Sequence, residues 1–165
     1  MTWQNEMTPI LRFLINDLDP TSYTYTDERL QNCILISSQL IQKEIDFEKT
    51  YDIDIANSGL TPDPSASPED NVFINLVCLK AATIIFGGEL KLASKSSLKV
   101  VDGPSQIDTT SRFFNMSQLY KTSIDNYNRA KVDYFAGNSI AGRSILTPYT
   151  TPNGITTNEG YVYRW

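Results

Sequence analysis

The chain has 165 residues, of which 41% are hydrophobic and 20% charged, a composition typical of one globular domain that buries its own core. It contains no histidine. This excludes Ser-His and Cys-His catalytic pairs and removes the commonest transition-metal ligand. The start of the chain, MTWQNEMTP, has neither basic residues nor an apolar run, so we expect no secretory signal.

Two cysteines without such a signal indicate a reducing compartment, so we interpret Cys33 and Cys78 as buried thiols and expect a cytoplasmic protein. The most apolar stretch, residues 72–86, is interrupted by Asn75 and Lys80 and has helical periodicity. We therefore expect no membrane span.

The charge is divided unevenly along the chain. Residues 1–70 carry 13 acidic and 4 basic side chains, a net charge of −9, whereas residues 71–165 carry 6 acidic and 10 basic side chains, a net charge of +4. Chance and solvated faces account for such a division in many proteins. It also fits an acidic face of one copy that meets a basic face of the next in a ring of identical subunits.

Thr8 followed by Pro9 is typical of a helix start, and Asp19-Pro20 is typical of a stop. Together they predict a first helix over residues 9–18. Its apolar stripe consists of Ile10, Leu11, Leu14, Ile15 and Leu18.

A second helix is predicted over residues 27–46. It follows Thr26, and Asp27 and Glu28 suit the positive end of the helix dipole. Its apolar stripe consists of Leu30, Cys33, Ile34, Ser37, Ile41 and Ile45.

The alternation in YDIDI predicts a short strand over residues 51–55, with Tyr51, Ile53 and Ile55 on one face and the aspartates on the other. A turn at residues 57–59 and a proline-rich loop at 61–68 follow it.

A third helix is predicted over residues 68–92, opened by Ser67-Pro68-Glu69-Asp70 and weakening near Gly87-Gly88. Its apolar stripe consists of Phe73, Leu76, Val77, Lys80, Ala81, Ile84 and Ile85.

A second strand over residues 98–101 precedes the turn Asp102-Gly103-Pro104, and a fourth helix is predicted over residues 110–136. Its unusually aromatic stripe consists of Phe113, Met116, Ser117, Tyr120, Ile124, Tyr127, Lys131 and Tyr134. We interpret this stripe as packing rather than a base-stacking platform. The predicted fold class is mainly α, with four helices and short β-strand elements.

Residues 1–137 are predicted to form the helical body, and Gly137-Asn138 is typical of a helix C-cap. Residues 138–165 contain three charged residues and no helical period, so we predict an extended C-terminal arm. The tip of the arm is aromatic. Its candidate partner-binding residues are Tyr149, Tyr161, Tyr163 and Trp165.

No catalytic or cofactor site is predicted. Asp17/Asp19 and Asp52/Asp54 lack the further ligands of a calcium loop, and we interpret them as a helix terminus and a solvated strand face. Neither Gly87-Gly88 nor Asp102-Gly103 has a phosphate-loop context, and the SKSS run at residues 94–97 is weak support for a Ser-Lys nucleophile. We therefore expect a protein that is not an enzyme and holds neither cofactor nor metal.

Lys91, Lys95 and Lys99 form a mild basic run. A solvated surface explains such a run, and weak non-specific contact with phosphates is the alternative interpretation.

Four sequence marks recur at the junctions of the predicted helices: an Asp-Pro loop after the first helix, Thr-Asp-Glu at the second, Pro-Asp-Pro before the third, and Asp-Gly-Pro with Ile107-Asp108 before the fourth. In this order they resemble the head-to-tail connector (adaptor) proteins of tailed bacteriophages. The resemblance covers residues 9–135. None of these marks is a catalytic motif, so its specificity lies in their order.

The resemblance implies a virion structural protein of the neck, made in the host cytoplasm, with a homo-oligomeric ring of usually twelve copies below the portal. DNA would pass through the lumen, which Lys91, Lys95 and Lys99 would face. The partners would be the portal protein and the next neck or tail protein, with no membrane contact.

The resemblance also implies that a terminal arm grips the portal or a neighbouring subunit. The alternative for the arm is that it folds back on its own helices. The alternatives for the function are another neck component, such as a head-closure or tail-completion protein, and a cytoplasmic helical module that binds a small molecule.

Overall fold

The computed structural model describes residues 2–96, 99–102, 105–108 and 110–138, and these residues form a mainly α structure, as predicted. The helices are α1 (Trp3–Ile15), α2 (Asp27–Glu44), α3 (Asn71–Ser96) and α4 (Thr110–Asn138). The strands are β1 (Asp52–Asp54), β2 (Gly59–Thr61), β3 (Lys99–Asp102) and β4 (Ser105–Asp108). They form two separate antiparallel hairpins, β1–β2 and β3–β4.

The core lies between α1, α2 and α3, because α3 packs against both of the other helices. Its fully buried side chains are Met7, Leu11, Leu30, Ile34, Leu35, Ile41, Phe73, Leu76, Val77 and Cys78. Each large apolar side chain buried in this way contributes about 1.5–3 kcal/mol to folding. The predicted stripes of α2 and α3 supply most of this core.

The chain divides into two compact units, residues 1–128 and residues 129–165. The structure describes residues 129–138 of the second unit, which continue α4 and bring the Tyr134 and Phe135 rings to 5.8 Å. The predicted boundary between a body (1–137) and an arm (138–165) stays a prediction, since residues 139–165 lie outside the described residues.

The start of α1 differs from the prediction. The helix begins at Trp3, and Pro9 lies inside it rather than at its first position. The side chain of Thr2 makes no cap bond; instead the Trp3 N–H donates to Asp63 Oδ2 at 3.1 Å. The carboxylate that caps α1 therefore comes from the proline-rich loop, 60 residues further along the chain.

The end of α1 also differs, because the helix stops at Ile15 and not at Leu18. Asn16 adopts the left-handed conformation (φ 59°), and its N–H donates to the Phe13 carbonyl. The Asp17 N–H donates to the Arg12 carbonyl at 3.0 Å. These two bonds form a Schellman motif, which ends the helix three residues before the predicted stop.

The start of α2 is close to the prediction. Asp27 and Glu28 occupy its first turn, and the Thr26 hydroxyl accepts a bond from the Arg29 N–H at 3.3 Å. A threonine in this position satisfies one of the donors that a helix start leaves free.

The YDIDI strand was predicted alone, but β1 pairs with β2, and Ile53 lies opposite Leu60. Tyr51 is buried and Ile53 half-buried, whereas Ile55 is exposed, so the predicted apolar face holds only at its start. Asp54 accepts bonds from Ala56, Asn57 and the Asn57 side chain, which forms the turn of the hairpin.

The third helix begins at Asn71 rather than at Pro68, because Asp70 is its cap: Asp70 Oδ1 accepts a bond from the Phe73 N–H at 3.0 Å. The Tyr51 hydroxyl donates to the other oxygen of Asp70, and its ring stacks on Phe73 with centroids 3.9 Å apart. The helix then continues through both glycines to Ser96, four residues beyond the predicted end.

The helix α3 is long and apolar enough to cross a membrane by length and composition, a property the sequence interpretation did not assign to it. Its window has a mean hydropathy of 1.6, and 44% of it is buried. The core helix of a folded domain passes the same test. The packing of α3 against α1 and α2 accounts for its apolar face here.

The second strand was predicted over residues 98–101, and β3 occupies Lys99–Asp102. Beyond the predicted turn, β4 supplies the partner strand, so that Asp102 lies opposite Ser105 and Lys99 opposite Asp108. The sequence interpretation missed β4.

The two adjacent glycines of α3 predict opposite responses to the same substitution. A Cβ at Gly88 meets no atom within 4 Å, so Gly88→Ala raises the free energy of unfolding by about 0.5–1 kcal/mol through helix propensity. A Cβ at Gly87 lies 3.2 Å from Cε2 of Tyr120, so Gly87→Ala gains less or destabilises. Urea denaturation followed by circular dichroism measures both; equal gains would contradict this packing.

We predict that the stabilising effect of Asp63, which caps α1, depends on pH. Burial opposes its charged form, but hydrogen bonds from Ser65 and from Trp3 outweigh burial and hold the pKa of Asp63 below its ordinary value of 3.8. Its contribution is therefore present at neutral pH and is lost as the pH falls through the lowered pKa. Asp63→Ala destabilises by about 1–2 kcal/mol at neutral pH, and the difference from wild type shrinks in acid. Urea denaturation of wild type and variant at neutral pH and at acidic pH measures this difference in the free energy of unfolding. The control is Asp52→Ala, on the exposed face of β1.

Candidate interaction surfaces

Arg12 holds the loop that joins α1 to α2. Its guanidinium donates to Asp17 at 2.7 Å, to the Tyr25 carbonyl at 2.9 Å and to Asp27 at 2.7 Å. Arg12 is only 6% exposed and Asp17 7%, and the Tyr23 ring lies 3.6 Å over the guanidinium. Asp17 also accepts bonds from the N–H groups of Thr24 and Tyr25. The buried charges are thus paired and hydrogen-bonded, as such charges must be.

Exposed apolar side chains of α1 and of the loop that follows it form a surface that we call the α1 ridge: Ile10, Phe13 and Leu14 on the helix and Leu18 beyond its end. Phe13 is 73% exposed and Leu18 50%. Glu6 lies on the same face of the helix as Ile10 and Phe13, since they are four and seven positions apart. Asp19 is exposed at the other end of the ridge. Contiguous exposed apolar side chains rimmed by charges are typical of protein–protein contact sites.

A second surface lies between α3 and the part of α4 before residue 129, and we call it the α3–α4 groove. Its inner part, about 720 Å³, has Gly87 and Gly88 on one side and Tyr120 and Ile124 on the other. Its outer part, about 470 Å³, is lined by Leu90, Lys91, Ser94, Lys95 and Phe113. Leu90 and Lys91 line both parts, so the groove is continuous along α3.

One polar cluster fastens α4 to the rest of the first unit. Glu44 of α2 forms an ion pair with Lys80 of α3 and accepts a bond from the Tyr127 hydroxyl of α4 at 2.8 Å. The Lys80 ammonium lies 4.6 Å from the centre of the Tyr127 ring. Burial, followed by the Glu44 carboxylate, raises the pKa of Tyr127, so it stays a donor. These contacts agree with the interpretation of the aromatic stripe as packing.

Of the predicted lumen residues, Lys91 and Lys95 lie one helical turn apart on α3, are exposed, and line the outer part of the groove together. Lys99 lies beyond the helix, on β3. Among the described residues, neither Lys91 nor Lys95 has an ion-pair partner. The predicted arm residues Tyr149, Tyr161, Tyr163 and Trp165 lie outside the described residues.

The aspartate pairs have local structural roles. Asp17 pairs with Arg12, Asp19 accepts bonds from the N–H and hydroxyl of Thr21, and Asp54 forms the hairpin turn. These bonds from Thr21 lower the pKa of Asp19. Within the described ranges, no group of three histidine, cysteine or acidic side chains could hold a metal.

Both cysteines are free thiols. Cys78 is buried as predicted, and its burial raises the pKa of the thiol to about 12. Cys33 is half-buried, so the prediction of a buried thiol holds only in part, and burial raises its pKa as well.

A polar cavity of about 370 Å³ opens beside Arg12. Its lining includes Gln4, Asn5, Leu18, Tyr23 and Gln31. Thr8 also lines it, and Thr8 Oγ1 is buried without a hydrogen-bond partner among the described residues. The cavity can therefore offer amide and hydroxyl groups to a small polar molecule.

Comparisons with protein-family models, curated proteins and solved structures gave no match to this chain.

The sequence interpretation missed the α1 ridge because it assigned Ile10, Leu14 and Leu18 to the core stripe. In the structure Trp3, Met7 and Leu11 form the buried face of α1. A pattern able to reveal this is present in the sequence: Trp3, Met7 and Leu11 recur every four residues. If the helix starts at Trp3, these three residues fill its buried face. The remaining apolar residues of the helix, such as Ile10 and Phe13, must then lie outside that face.

The Arg12 pairing predicts a large effect of one substitution. Arg12→Met leaves Asp17 buried without its cation and lowers the free energy of unfolding by about 3–5 kcal/mol. The double variant Arg12→Met/Asp17→Asn recovers part of this loss, because it removes the uncompensated charge. Arg29→Met is the matched control: Arg29 is exposed, over the Tyr25 ring at 4.7 Å, and its loss costs at most about 1 kcal/mol. Urea denaturation distinguishes these outcomes; similar losses for both arginines would contradict the assigned role of Arg12.

Proposed function

We propose that this chain is a structural subunit of a homo-oligomeric ring, a head-to-tail connector (adaptor) that joins the portal of a tailed bacteriophage to its neck or tail and lets DNA pass through its lumen. The observation that carries the proposal is the α1 ridge. A single copy leaves Phe13, Leu18, Ile10 and Leu14 exposed on one side of the fold. A neighbouring subunit that covered them would remove this apolar area from water.

The positions of the resembling sequence marks support the same proposal. The Asp-Pro loop follows α1, Thr26 and Asp27 open α2, and the Pro-Asp-Pro run precedes α3. Ile107 and Asp108 end β4, directly before α4. The marks thus fall at junctions between elements, in the order that the resemblance implies.

A second candidate function is a helical module that binds a small polar molecule. The unpaired Thr8 hydroxyl beside the 370 Å³ cavity favours it. The neighbouring guanidinium already donates to three protein groups, so it is not a free anchor for an anionic ligand. We therefore rank this function below the ring subunit.

The proposal predicts ring formation with a portal protein. Negative-stain electron microscopy of the full chain mixed with candidate portal rings should show added density on one face of the portal, with the symmetry of a closed ring. A chain without the second half of its arm, residues 152–165, tests the predicted role of Tyr161, Tyr163 and Trp165 in attachment. It should keep the helical circular dichroism signal and lose attachment, because the aromatic anchors are gone.

Two outcomes would contradict the proposal. One is a full chain that stays a monomer with every portal offered while a small polar ligand raises its melting temperature, which indicates the binding module. The other is loss of helical signal in the shortened chain, which places the arm in the subunit's own core.

A further inference from the structure

We infer that the α1 ridge of one copy docks into the α3–α4 groove of a second copy. This inference rests on the proposed ring and names the contact that would build it. Both surfaces consist of described residues, and both belong to the first compact unit. The occupant that we propose for the groove is another molecule of this chain, on the grounds of shape and charge given below.

The ridge has the composition of an inserted element. Phe13 is the most exposed large apolar side chain among the described residues, and Ile10 and Leu14 flank it on the same helix. The cap at Asn16 and the buried Arg12 network fix the end of the helix, so the ridge is presented by a rigid segment. A preorganised apolar ridge loses little conformational freedom on binding.

The groove has the composition of a receiving surface. Its lining is largely apolar and aromatic, with Tyr120 and Ile124 facing the glycines and Phe113 at the outer end, and it also includes polar residues, among them Lys80, Thr83 and Asn128. Beyond the backbone of its own helical turns, no atom of the described residues lies within 4 Å of the position that a Cβ at Gly88 would occupy. A partner can therefore approach the α3 backbone closely at this point.

The charges at the two surfaces are complementary. Glu6 and Asp19 flank the ridge, and Lys91 and Lys95 line the groove without an ion-pair partner in the described part of the chain. Docking would bring the carboxylates of the ridge close to the lysines of the groove. Such charge pairs fix the orientation of the partners and speed their association more than they increase affinity.

In the arrangement that we infer, every copy uses its ridge on one neighbour and its groove on the other, so the contact is heterologous. Such a contact generates a closed ring when the rotation between copies closes and a filament when it does not. A two-fold dimer in which two copies exchange ridge and groove with each other would contradict this arrangement.

Site-specific photo-crosslinking of the full chain tests the contact directly. p-Benzoyl-phenylalanine replaces Phe13, and the concentrated protein is irradiated and digested. We expect adducts between two copies, with the label joined to α3 residues near Lys91 or to α4 residues near Phe113. The control label replaces Val72, which is also exposed but lies at the other end of α3, and it should give no adduct in the groove.

Two single substitutions then separate the surfaces. Phe13→Glu blocks the ridge, and Gly88→Leu fills the groove while improving the helix propensity of α3. Each variant alone should lose association by at least about tenfold, as expected for a central interface position. An equimolar mixture should form dimers and stop there, because only one intact ridge and one intact groove remain per pair. Gly88→Ala, which adds only one methyl group, should weaken association much less than Gly88→Leu.

Salt provides an independent readout. Charge pairs at an exposed rim are screened beyond about 8 Å at physiological ionic strength and beyond about 3 Å at 1 M. Association should therefore weaken as salt rises, and Lys91→Ala/Lys95→Ala should weaken it and reduce the dependence on salt. Sedimentation velocity measures both effects.

The inference is overturned by adducts of the Phe13 label within one copy or outside the groove. It is also overturned by unchanged assembly of both blocking variants, or by the absence of self-association up to about 1 mM, the weak end of specific binding. Its failure is distinguishable from failure of the proposed function. If the chain forms rings on a portal but the Phe13 label crosslinks outside the groove, only the docking contact is overturned. If the label crosslinks ridge to groove in an assembly that binds no portal, only the connector function is overturned.

Discussion

The buried guanidinium of Arg12 is the constraint on which the surface of the first unit depends. Its bonds to Asp17, Asp27 and the Tyr25 carbonyl require that side of α1 to face inward. Successive residues of a helix are rotated by about 100°, so an inward Arg12, together with the buried Leu11, leaves Phe13 on the outer side. The same network holds the loop after α1. One buried ion cluster therefore sets both the rotation of the first helix and the exposure of the ridge.

The number, type and order of the helices could be predicted from the sequence, because the apolar periods of α2 and α3 match the buried faces closely. The end of α1 at Asn16 and the start of α3 at Asp70 use local caps, which the sequence interpretation placed elsewhere. The start of α1 could not be predicted. Trp3 is capped by Asp63, which is distant in sequence, and such a partner is invisible to local patterns. The proline in α1 was misleading for the same reason: Pro9 suits a first position locally, but the packing of Trp3 and Met7 extends the helix in front of it.

The candidate surfaces were harder to predict than the fold, since each depends on how elements are rotated or docked. The exposure of Lys91 and Lys95 was anticipated, but their position beside Phe113 depends on the docking of α4 through Glu44, Lys80 and Tyr127. Glu44 and Tyr127 are 83 residues apart in sequence. A charge pattern along the chain indicates that complementary faces exist, whereas three-dimensional packing determines which side chains share them.

The two adjacent glycines of α3 require different explanations. Each costs roughly 1 kcal/mol of helix propensity relative to alanine, yet the helix continues through both. The packing of Tyr120 at 3.2 Å from a Cβ accounts for Gly87. Nothing in the described part of the chain accounts for Gly88, whose Cβ position is open there. Local rules are broken without internal compensation mainly at functional sites. The open backbone at Gly88 is therefore better explained by a close approach from outside the subunit, and the proposed docking of a neighbour's ridge supplies one.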